Sequence, residues 1–343
     1  MSIDTHAHYV PPRLVEALES EGAALGVSLV RTPPACQCAV HFEHGLQVRP
    51  FPAKLFEETS TRLGAMDRIG IERQVLSTWA DIFGYGLPRA KSVKWHRRMN
   101  QAMASVAAEH PTRFSFLASL PLPHAAEAAE ELRYAIRELG AVGAVICANV
   151  EDVNLGEVAL DELWSAAVEL DAGILIHPAH ADQARSQDGK RAGRWAMATI
   201  AQYTYDTTLC VGSLIFNGVL DRFPELRLLL CHGGGTFPYL AARFDIMHAR
   251  TDRKALGNVA AMPPSHYLPR FYYDTILHSA PTLEFLASLA GIERIVIGSD
   301  YSFPPADEDP LATLRATRFS PRDVELIGSI NPRRLFPQLP GSE

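Results

Sequence analysis

Short apolar runs alternate with longer amphipathic stretches along most of the chain. Several of the runs are continuous rather than alternating, which is typical of parallel strands covered on both faces. The clearest helical patterns run from Arg89 to His110, from Ala125 to Leu139 and from Leu160 to Leu170. Eight strands are predicted, at Ser2–Thr5, Gln74–Trp79, Phe114–Leu120, Val142–Ala148, Gly173–His177, Leu226–His232, Phe271–Thr275 and Arg294–Gly298.

Eight strands with helices between them predict a (β/α)₈ TIM barrel rather than an open sheet. The chain has 343 residues, so we expect residues 1–343 to form a single barrel domain with insertions. Residues 9–58 contain six prolines and interrupt the alternation of strands and helices. They predict an insertion after the first strand, on the active-site side. A second excursion runs from Ala179 to about Asp206, and the proline-rich tail from Pro332 is expected on the surface.

Composition narrows the class of protein. The net charge of −7 argues against a nucleic-acid surface, and the run Lys94, His96, Arg97 and Arg98 is interpreted as one solvated helix face. No apolar stretch approaches the roughly 18 residues of a membrane span. The five cysteines are scattered and the chain opens without a signal-peptide pattern, which favours reduced thiols in the cytoplasm.

Histidines and one aspartate stand at the ends of the predicted strands. His6 and His8 form a His-x-His pair, and alternate residues of a strand point to the same face. His177 ends the fifth strand, His232 ends the sixth, and Asp300 follows the eighth. Catalytic groups of barrel enzymes gather at this rim, and three histidines with one carboxylate suit Zn²⁺, or alternatively Mn²⁺ or another first-row divalent ion. A single strand-terminal histidine is more often structural, but the whole pattern predicts a metal site.

The glycines after His232, Gly233 to Gly235, lack the Lys-Ser/Thr of a phosphate-binding loop. We expect them to let the backbone pass close to the site. His180 and His278 stand near predicted strand ends, and their roles stay open. The remaining histidines are interpreted as surface or structural residues: His41, His44, His96, His110, His124, His248 and His266.

Four motifs carry a resemblance to a known family. They are Ile3-Asp-Thr-His-Ala-His8, Ile176-His-Pro178, His232-Gly-Gly-Gly-Thr-Phe-Pro238 and Gly298-Ser-Asp-Tyr-Ser-Phe-Pro304. The chain resembles the amidohydrolase superfamily and, within it, the metal-dependent decarboxylases of the α-amino-β-carboxymuconate-ε-semialdehyde decarboxylase type. The likeness runs over most of the chain, and the last two motifs are the specific ones.

The resemblance implies roles for the strand-end residues. The metal ligands would be His6, His8, His177 and Asp300, with Zn²⁺ as the ion. His232 would be the catalytic acid/base, assisted in proton transfer by Asp300.

Substrate-binding residues also follow from the resemblance. Arg243 would bind a substrate carboxylate across the interface of a homodimer. Arg49, in the insertion, would bind a second carboxylate, and Phe303 would contact the substrate. The chain departs from the family at Ala179-His180 and in the insertion around residues 36–44. Both departures lie where substrate would sit, so the exact substrate is left open.

The activity implied by the resemblance is non-oxidative decarboxylation of a small unsaturated or aromatic carboxylic acid, a carbon–carbon lyase reaction of aromatic catabolism. The site residues alone leave two alternatives open. One is a hydrolase or hydratase that uses a metal-activated water. The other is a non-catalytic metal-binding barrel, whose signature would be a lost ligand or a lost His232, and all five positions are filled.

Overall fold

The computed structural model describes residues 2–32, 37–179, 194–250, 252–253 and 255–341. Eight parallel strands form one sheet, in the order β1-β4-β5-β6-β9-β10-β11-β12, and two short hairpins lie outside it. The strands are β1 (Ile3–His8), β2 (Val27–Thr32), β3 (Gln37–Phe42), β4 (Arg73–Ser77), β5 (Phe114–Ser119), β6 (Gly143–Cys147), β7 (Asn149–Val150), β8 (Val153–Asn154), β9 (Gly173–His177), β10 (Arg227–Leu230), β11 (Phe271–Asp274) and β12 (Ile295–Val296).

Helices follow the barrel strands along the chain. The parallel strands are buried, as expected for a sheet whose outer face is covered by helices. The helices are α1 (Pro12–Leu25), α2 (Thr59–Ile69), α3 (Arg89–Glu109), α4 (Ala125–Leu139), α5 (Asp161–Glu169), α6 (Tyr203–Phe216), α7 (Val219–Arg222), α8 (Phe237–Arg250), α9 (Ala280–Ala290), α10 (Pro310–Arg315), α11 (Pro321–Glu325) and α12 (Asn331–Leu335).

Backbone hydrogen bonds between β1 and the chain around β12 close the sheet. The Thr5 N–H donates to the Ile297 carbonyl at 2.8 Å, and the His8 N–H donates to the Tyr301 carbonyl at 3.1 Å. The first strand is therefore hydrogen-bonded to the segment that directly follows the last, and the predicted TIM barrel is confirmed. Closure also brings the His-x-His pair next to the segment that carries Asp300.

The eight predicted strands are all present, each displaced or shortened by a few residues except Gly173–His177, whose bounds agree. The three predicted helices are also confirmed, and Ala125–Leu139 has the predicted bounds. Continuous apolar runs identified these elements because a strand covered on both faces has no polar side. No helix within the described ranges is long and apolar enough to cross a bilayer.

The segment between β1 and α2 contains α1, the β2–β3 hairpin and a 3₁₀ turn at Ala53–Phe56. The Val10 N–H donates to the Leu55 carbonyl at 2.9 Å, and both side chains are buried. The Phe51 ring packs edge-on against Trp79, with centroids 5.5 Å apart. This segment is therefore folded against the barrel.

The prediction of a surface tail from Pro332 is wrong. Leu335 and Phe336 are fully buried. The Phe336 ring occupies the space where a side chain at Gly143 or Gly173 would stand, at the first residues of β6 and β9. This part of the tail therefore packs against the first residues of β6 and β9, at the amino-terminal end of the barrel.

The interpretation of residues 94–98 as one solvated face is also wrong. His96 is fully buried, and its ring lies 5.7 Å from that of Phe83 and 5.9 Å from that of Tyr85. The two arginines that follow it are ion-paired, Arg97 with Glu131 and Arg98 with Glu21. The reason is helical periodicity, since residues 92, 95, 96 and 99 share the inner face of α3.

Candidate metal centre

The four predicted metal ligands meet at the carboxyl end of the barrel. The ligand atoms of His6, His8, His177 and Asp300 all lie within 4.8 Å of one another, and all four residues are buried. His6 Nε2 and His8 Nε2 are 3.0 Å apart, and His8 Nε2 is 3.1 Å from Asp300 Oδ1. β1, β9 and the turn after β12 therefore aim these side chains at a common point.

The outer nitrogen of each imidazole is engaged by a neighbour. His6 Nδ1 donates to Asp274 Oδ2 at 2.8 Å, and His177 Nδ1 donates to the carbonyl of the following residue at 2.6 Å. His8 Nδ1 is 3.0 Å from the Ser77 hydroxyl. A proton on Nδ1 leaves the Nε2 lone pair for a metal, and such contacts fix the orientation of the ring.

The donor atoms at the common point fit a divalent cation. Within the described residues, His177 Nε2 is buried without a hydrogen-bond partner, which is costly for a polar atom. Burial lowers the pKa of His8 to about 4 and holds the pKa of His177 well below its usual range. Burial raises the pKa of Asp300, but the neighbouring imidazoles of His232 and His8 lower it by more, to well below its usual range. Neutral imidazoles around a carboxylate are the donor set of a zinc-type site.

His232 lies beside this group, at the start of the turn after β10. Its Nε2 is 3.6 Å from Asp300 Oδ2, and its Nδ1 is buried without a hydrogen-bond partner in the described part of the chain. With Cys231 and His177 it forms a second trio of ligand atoms within 4.8 Å. Burial lowers the pKa of His232, but Cys231 and Asp300 raise it by more, to well above its usual range. A cation bound to Asp300 would offset part of that effect.

Asp274, at the end of β11, is a site residue that the sequence analysis missed. It is fully buried, and it accepts the His6 ring proton and the backbone N–H groups of His232 at 3.0 Å and Gly233 at 2.9 Å. Asp274 is therefore hydrogen-bonded both to the ring of His6, a predicted metal ligand, and to the backbone of His232, the acid/base candidate. The available signal was a carboxylate at the end of an apolar strand, which is costly unless it is fully hydrogen-bonded.

The glycine run after His232 has the predicted role. Gly235 has a φ of 64°, and a Cβ there would overlap the Thr204 carbonyl of α6. Only glycine lets these two backbones approach so closely. His232 and Asp300 themselves have φ values of 54°, which is uncommon for residues other than glycine and is often found at functional sites.

A cavity of about 290 Å³ opens onto the candidate metal centre. The Phe303 ring forms part of its wall, with its centroid 5.0 Å from that of His8 and 5.7 Å from that of Trp79. The Arg49 guanidinium lies 5.1 Å from the Trp79 ring, and its Nε is 3.8 Å from Asp81 Oδ2. The lining residues are Arg49, Trp79, His177, Thr199, Ile200, Tyr203, Thr204, His232, Ile276, His278, Asp300, Phe303, Pro304 and Pro305.

One further predicted residue lies apart from this arrangement. Arg243 is exposed on α8 and is not among the residues that line the cavity. His180 lies outside the described residues. His278, whose role the sequence left open, lines the cavity and has a left-handed φ of 54°.

The fold and the site define a TIM-barrel protein with a buried centre that fits one divalent cation. The family model described as Amidohydrolase matches residues 3–338. The chain is 31% identical over 307 residues to 2-amino-3-carboxymuconate-6-semialdehyde decarboxylase of Dictyostelium discoideum, covering 89% of this chain and 82% of that protein. The chain therefore belongs to the amidohydrolase family.

Other relatives and solved structures agree in length and fold. Gamma-resorcylate decarboxylase of Rhizobium sp. (strain MTP-10005) is 27% identical and covers 89% of this chain, which spans 94% of it. The structure of 5-carboxyvanillate decarboxylase LigW from Sphingomonas paucimobilis superposes with a TM-score of 0.80 at 24% identity, covering 98% of each chain. The structure of a dihydroxybenzoic acid decarboxylase from Polaromonas sp. JS666 with bound manganese has a TM-score of 0.78 at 23% identity and covers 99% of this chain and 98% of that one.

Proposed function

We propose that this chain is a metal-dependent, non-oxidative decarboxylase of a small unsaturated or aromatic carboxylic acid. The observation that carries the proposal is a buried set of cation ligands beside His232, at the floor of a cavity with an arginine and aromatic walls. The curated relatives reported above are decarboxylases acting on acids of this kind. The chain is accordingly a carbon–carbon lyase of the amidohydrolase family.

Decarboxylation breaks the bond between a carbon and its carboxylate, and CO₂ departs without the electron pair. The pair stays on the carbon, and a proton must replace the lost group. A divalent cation held by His6, His8, His177 and Asp300 would supply a positive charge that stabilises negative charge developing on the substrate. The residues of the chain then have to bind the acid and deliver the proton.

His232 is placed to hold that proton. Its Nε2 faces Asp300 Oδ2 at 3.6 Å, and its ring lines the cavity. A neighbouring carboxylate favours the protonated imidazole, and imidazole is the side chain best suited to exchange a proton near neutral pH. We assign His232 as the acid/base that protonates the carbon left by CO₂.

Arg49 and the aromatic wall are assigned to substrate binding. A guanidinium binds a carboxylate through two parallel hydrogen bonds, and the Asp81 carboxylate lies 3.8 Å from Arg49 Nε, where it restrains the arginine side chain. Trp79 and Phe303 present flat apolar surfaces that suit a conjugated ring.

Zn²⁺ is our proposal for the ion, with Mn²⁺ as the alternative. Histidine nitrogens favour zinc, whereas a structural neighbour was solved with bound manganese. Elemental analysis of protein purified without added metal would distinguish them. Chelator-stripped protein reloaded with each ion separately would then show which one supports turnover.

A homodimer is our proposal for the assembly, and it gives Arg243 a role. Arg243 stands on α8 among exposed apolar side chains, and such patches mark interaction surfaces. A two-fold dimer through this face would carry Arg243 towards the cavity of the other subunit. The exposed apolar residues on α6, on α8 and in the chain that follows α8 are Tyr205, Leu209, Tyr239, Ile246, Met247, Leu256, Val259 and Met262.

Subunit mixing tests this role of Arg243. Arg243→Ala and His232→Asn are each expected to be inactive alone. A mixed dimer pairs the intact His232 of one subunit with the intact Arg243 of the other, so mixing should restore activity. Full exchange of subunits without recovery would contradict the dimer role, and Ile246→Asp should give a monomer by sedimentation equilibrium.

We also propose that residues 1–343 form one barrel domain and that the protein works in a reducing compartment such as the cytoplasm. The family match over residues 3–338 supports the first proposal. The buried free thiols of Cys147, Cys210 and Cys231 support the second.

A substrate panel tests the proposed reaction. Metal-loaded protein should release CO₂ from at least one acid among carboxymuconate semialdehydes, dihydroxybenzoates and 6-methylsalicylate, and chelator-stripped protein should not. Turnover of panel members without CO₂ would favour the hydrolase or hydratase alternative.

A further inference from the structure

Arg62 of α2 is a fully buried arginine next to the candidate metal centre. Its Nη2 donates to the His8 carbonyl at 2.8 Å and to the Ser302 hydroxyl at 2.9 Å. The guanidinium lies between two rings, 4.9 Å from that of Tyr9 and 4.6 Å from that of Tyr301. Arginine is rarely buried this completely, so the position calls for a physical reason.

Ion pairing alone does not supply that reason. The Glu57 carboxylate is 3.5 Å from Arg62 Nε, beyond a good hydrogen bond. Burial lowers the pKa of Arg62, yet an arginine stays charged in proteins. A buried ion pair contributes little net stability compared with apolar residues of the same volume. The two hydrogen bonds from Nη2 are therefore the informative contacts.

Both acceptors belong to segments that supply metal ligands. His8 is itself a ligand, and Ser302 stands two residues after Asp300. Ser302 has a φ of 106°, and its hydroxyl also contacts the His8 carbonyl, at 3.0 Å. Arg62, Ser302 and the His8 carbonyl thus form a triangle that joins the end of β1 to the turn after β12, and these two segments carry three of the four ligands.

We propose that Arg62 is a positioning residue for the metal centre, which clamps the His8 carbonyl to Ser302 so that His8 and Asp300 stay aimed at one cation. This inference rests on the proposed function only in taking a cation as the ligand of these residues. Groups that orient metal ligands typically change metal affinity by about 10–100-fold when they are removed.

Cobalt binding tests the role without measuring activity. Co²⁺ titrated into metal-free protein reports affinity and, through its visible bands, ligand geometry. Arg62→Met should weaken Co²⁺ binding by about 10–100-fold and shift the bands, and Arg62→Lys should recover part of the loss. The matched control is Arg73→Met, because Arg73 is also buried and bonded to a carbonyl, that of Phe114, but lies at the start of β4. That control should lose stability and keep the parent affinity and spectrum.

Ser302→Ala and Arg62→Lys carry the test if Arg62→Met does not fold. Parent affinity and parent spectra in both would overturn the role of Arg62, whatever their stability. A parent protein that takes up no cobalt would instead contradict the metal centre of the proposed function, and this role with it.

Discussion

The two ends of the barrel contrast sharply. At the amino-terminal end, the buried apolar side chains of Leu335 and Phe336 pack at the start of β6 and β9. At the carboxyl-terminal end, the side chains of His6, His8, His177 and Asp300 crowd together, and His177 Nε2 has no hydrogen-bond partner in the described structure. The amino-terminal end is stabilised by apolar packing. The carboxyl-terminal end brings polar groups together at a cost in stability that a bound cation would offset. Changes at the first end should therefore alter stability, and changes at the second should alter chemistry.

The largest expected effect is at His232. His232→Asn should reduce turnover by about 10²–10⁴-fold, because general acid–base groups contribute that much. The metal content should stay at the parent level, since the four ligands remain. CO₂ release and elemental analysis measure the two quantities. Full activity in a correctly metallated variant would show that another group supplies the proton.

Phe336→Ala should affect the opposite end and leave the chemistry alone. Deleting this fully buried ring should lower the free energy of unfolding by about 3–5 kcal/mol, through lost burial and the cavity left behind. Denaturant unfolding measures it, with exposed Val153→Ala as a control expected within about 0.5 kcal/mol of the parent. A changed metal affinity in the folded variant would show that the amino-terminal end also affects the metal centre, and would contradict the separation of stability from chemistry.

Asp274→Asn tests the carboxylate that the sequence analysis missed. Asparagine keeps the size but removes the charge that holds the His6 ring and the N–H of His232. Metal affinity should fall by about 10–100-fold. Competition with a chromophoric chelator would measure it, and parent affinity would mean that His6 is oriented without Asp274.

The most gradual effect is the acid sensitivity that His96 contributes from outside the site. Burial lowers the pKa of His96 to about 3, below the value near 6.5 that the unfolded chain has. Between pH 6.5 and 3, the unfolded state therefore binds a proton on His96 that the folded state does not bind. This contribution to stability is constant above pH 6.5 and is lost at about 1.4 kcal/mol per pH unit as the pH falls towards 3.

His96→Leu removes that titration. Urea unfolding at pH 7, 6 and 5 should show a shallower loss of stability in the variant than in the parent. The slope is the informative quantity, since the substitution also changes packing at every pH. Equal slopes would mean that His96 is protonated in the folded protein.

The same contrast explains what the sequence could predict. Ligands such as His177 follow continuous apolar strands, so their position at the rim can be predicted from local pattern alone. Arg62 acts through partners far away in sequence, and nothing local distinguishes it from an ordinary charged residue. The burial of Phe336 depends on the glycines at positions 143 and 173, which only the closed barrel brings to it.

Isotope labelling during turnover tests the central claim most directly. A substrate labelled with ¹³C in its carboxylate would be turned over by metal-loaded protein in a mixture of D₂O and ¹⁸O-labelled water and followed by NMR and mass spectrometry. The proposed mechanism predicts that ¹³C leaves as CO₂ or bicarbonate and that one deuteron appears on the vacated carbon. An organic product that retains ¹³C and carries ¹⁸O would contradict decarboxylation and establish hydrolysis or hydration.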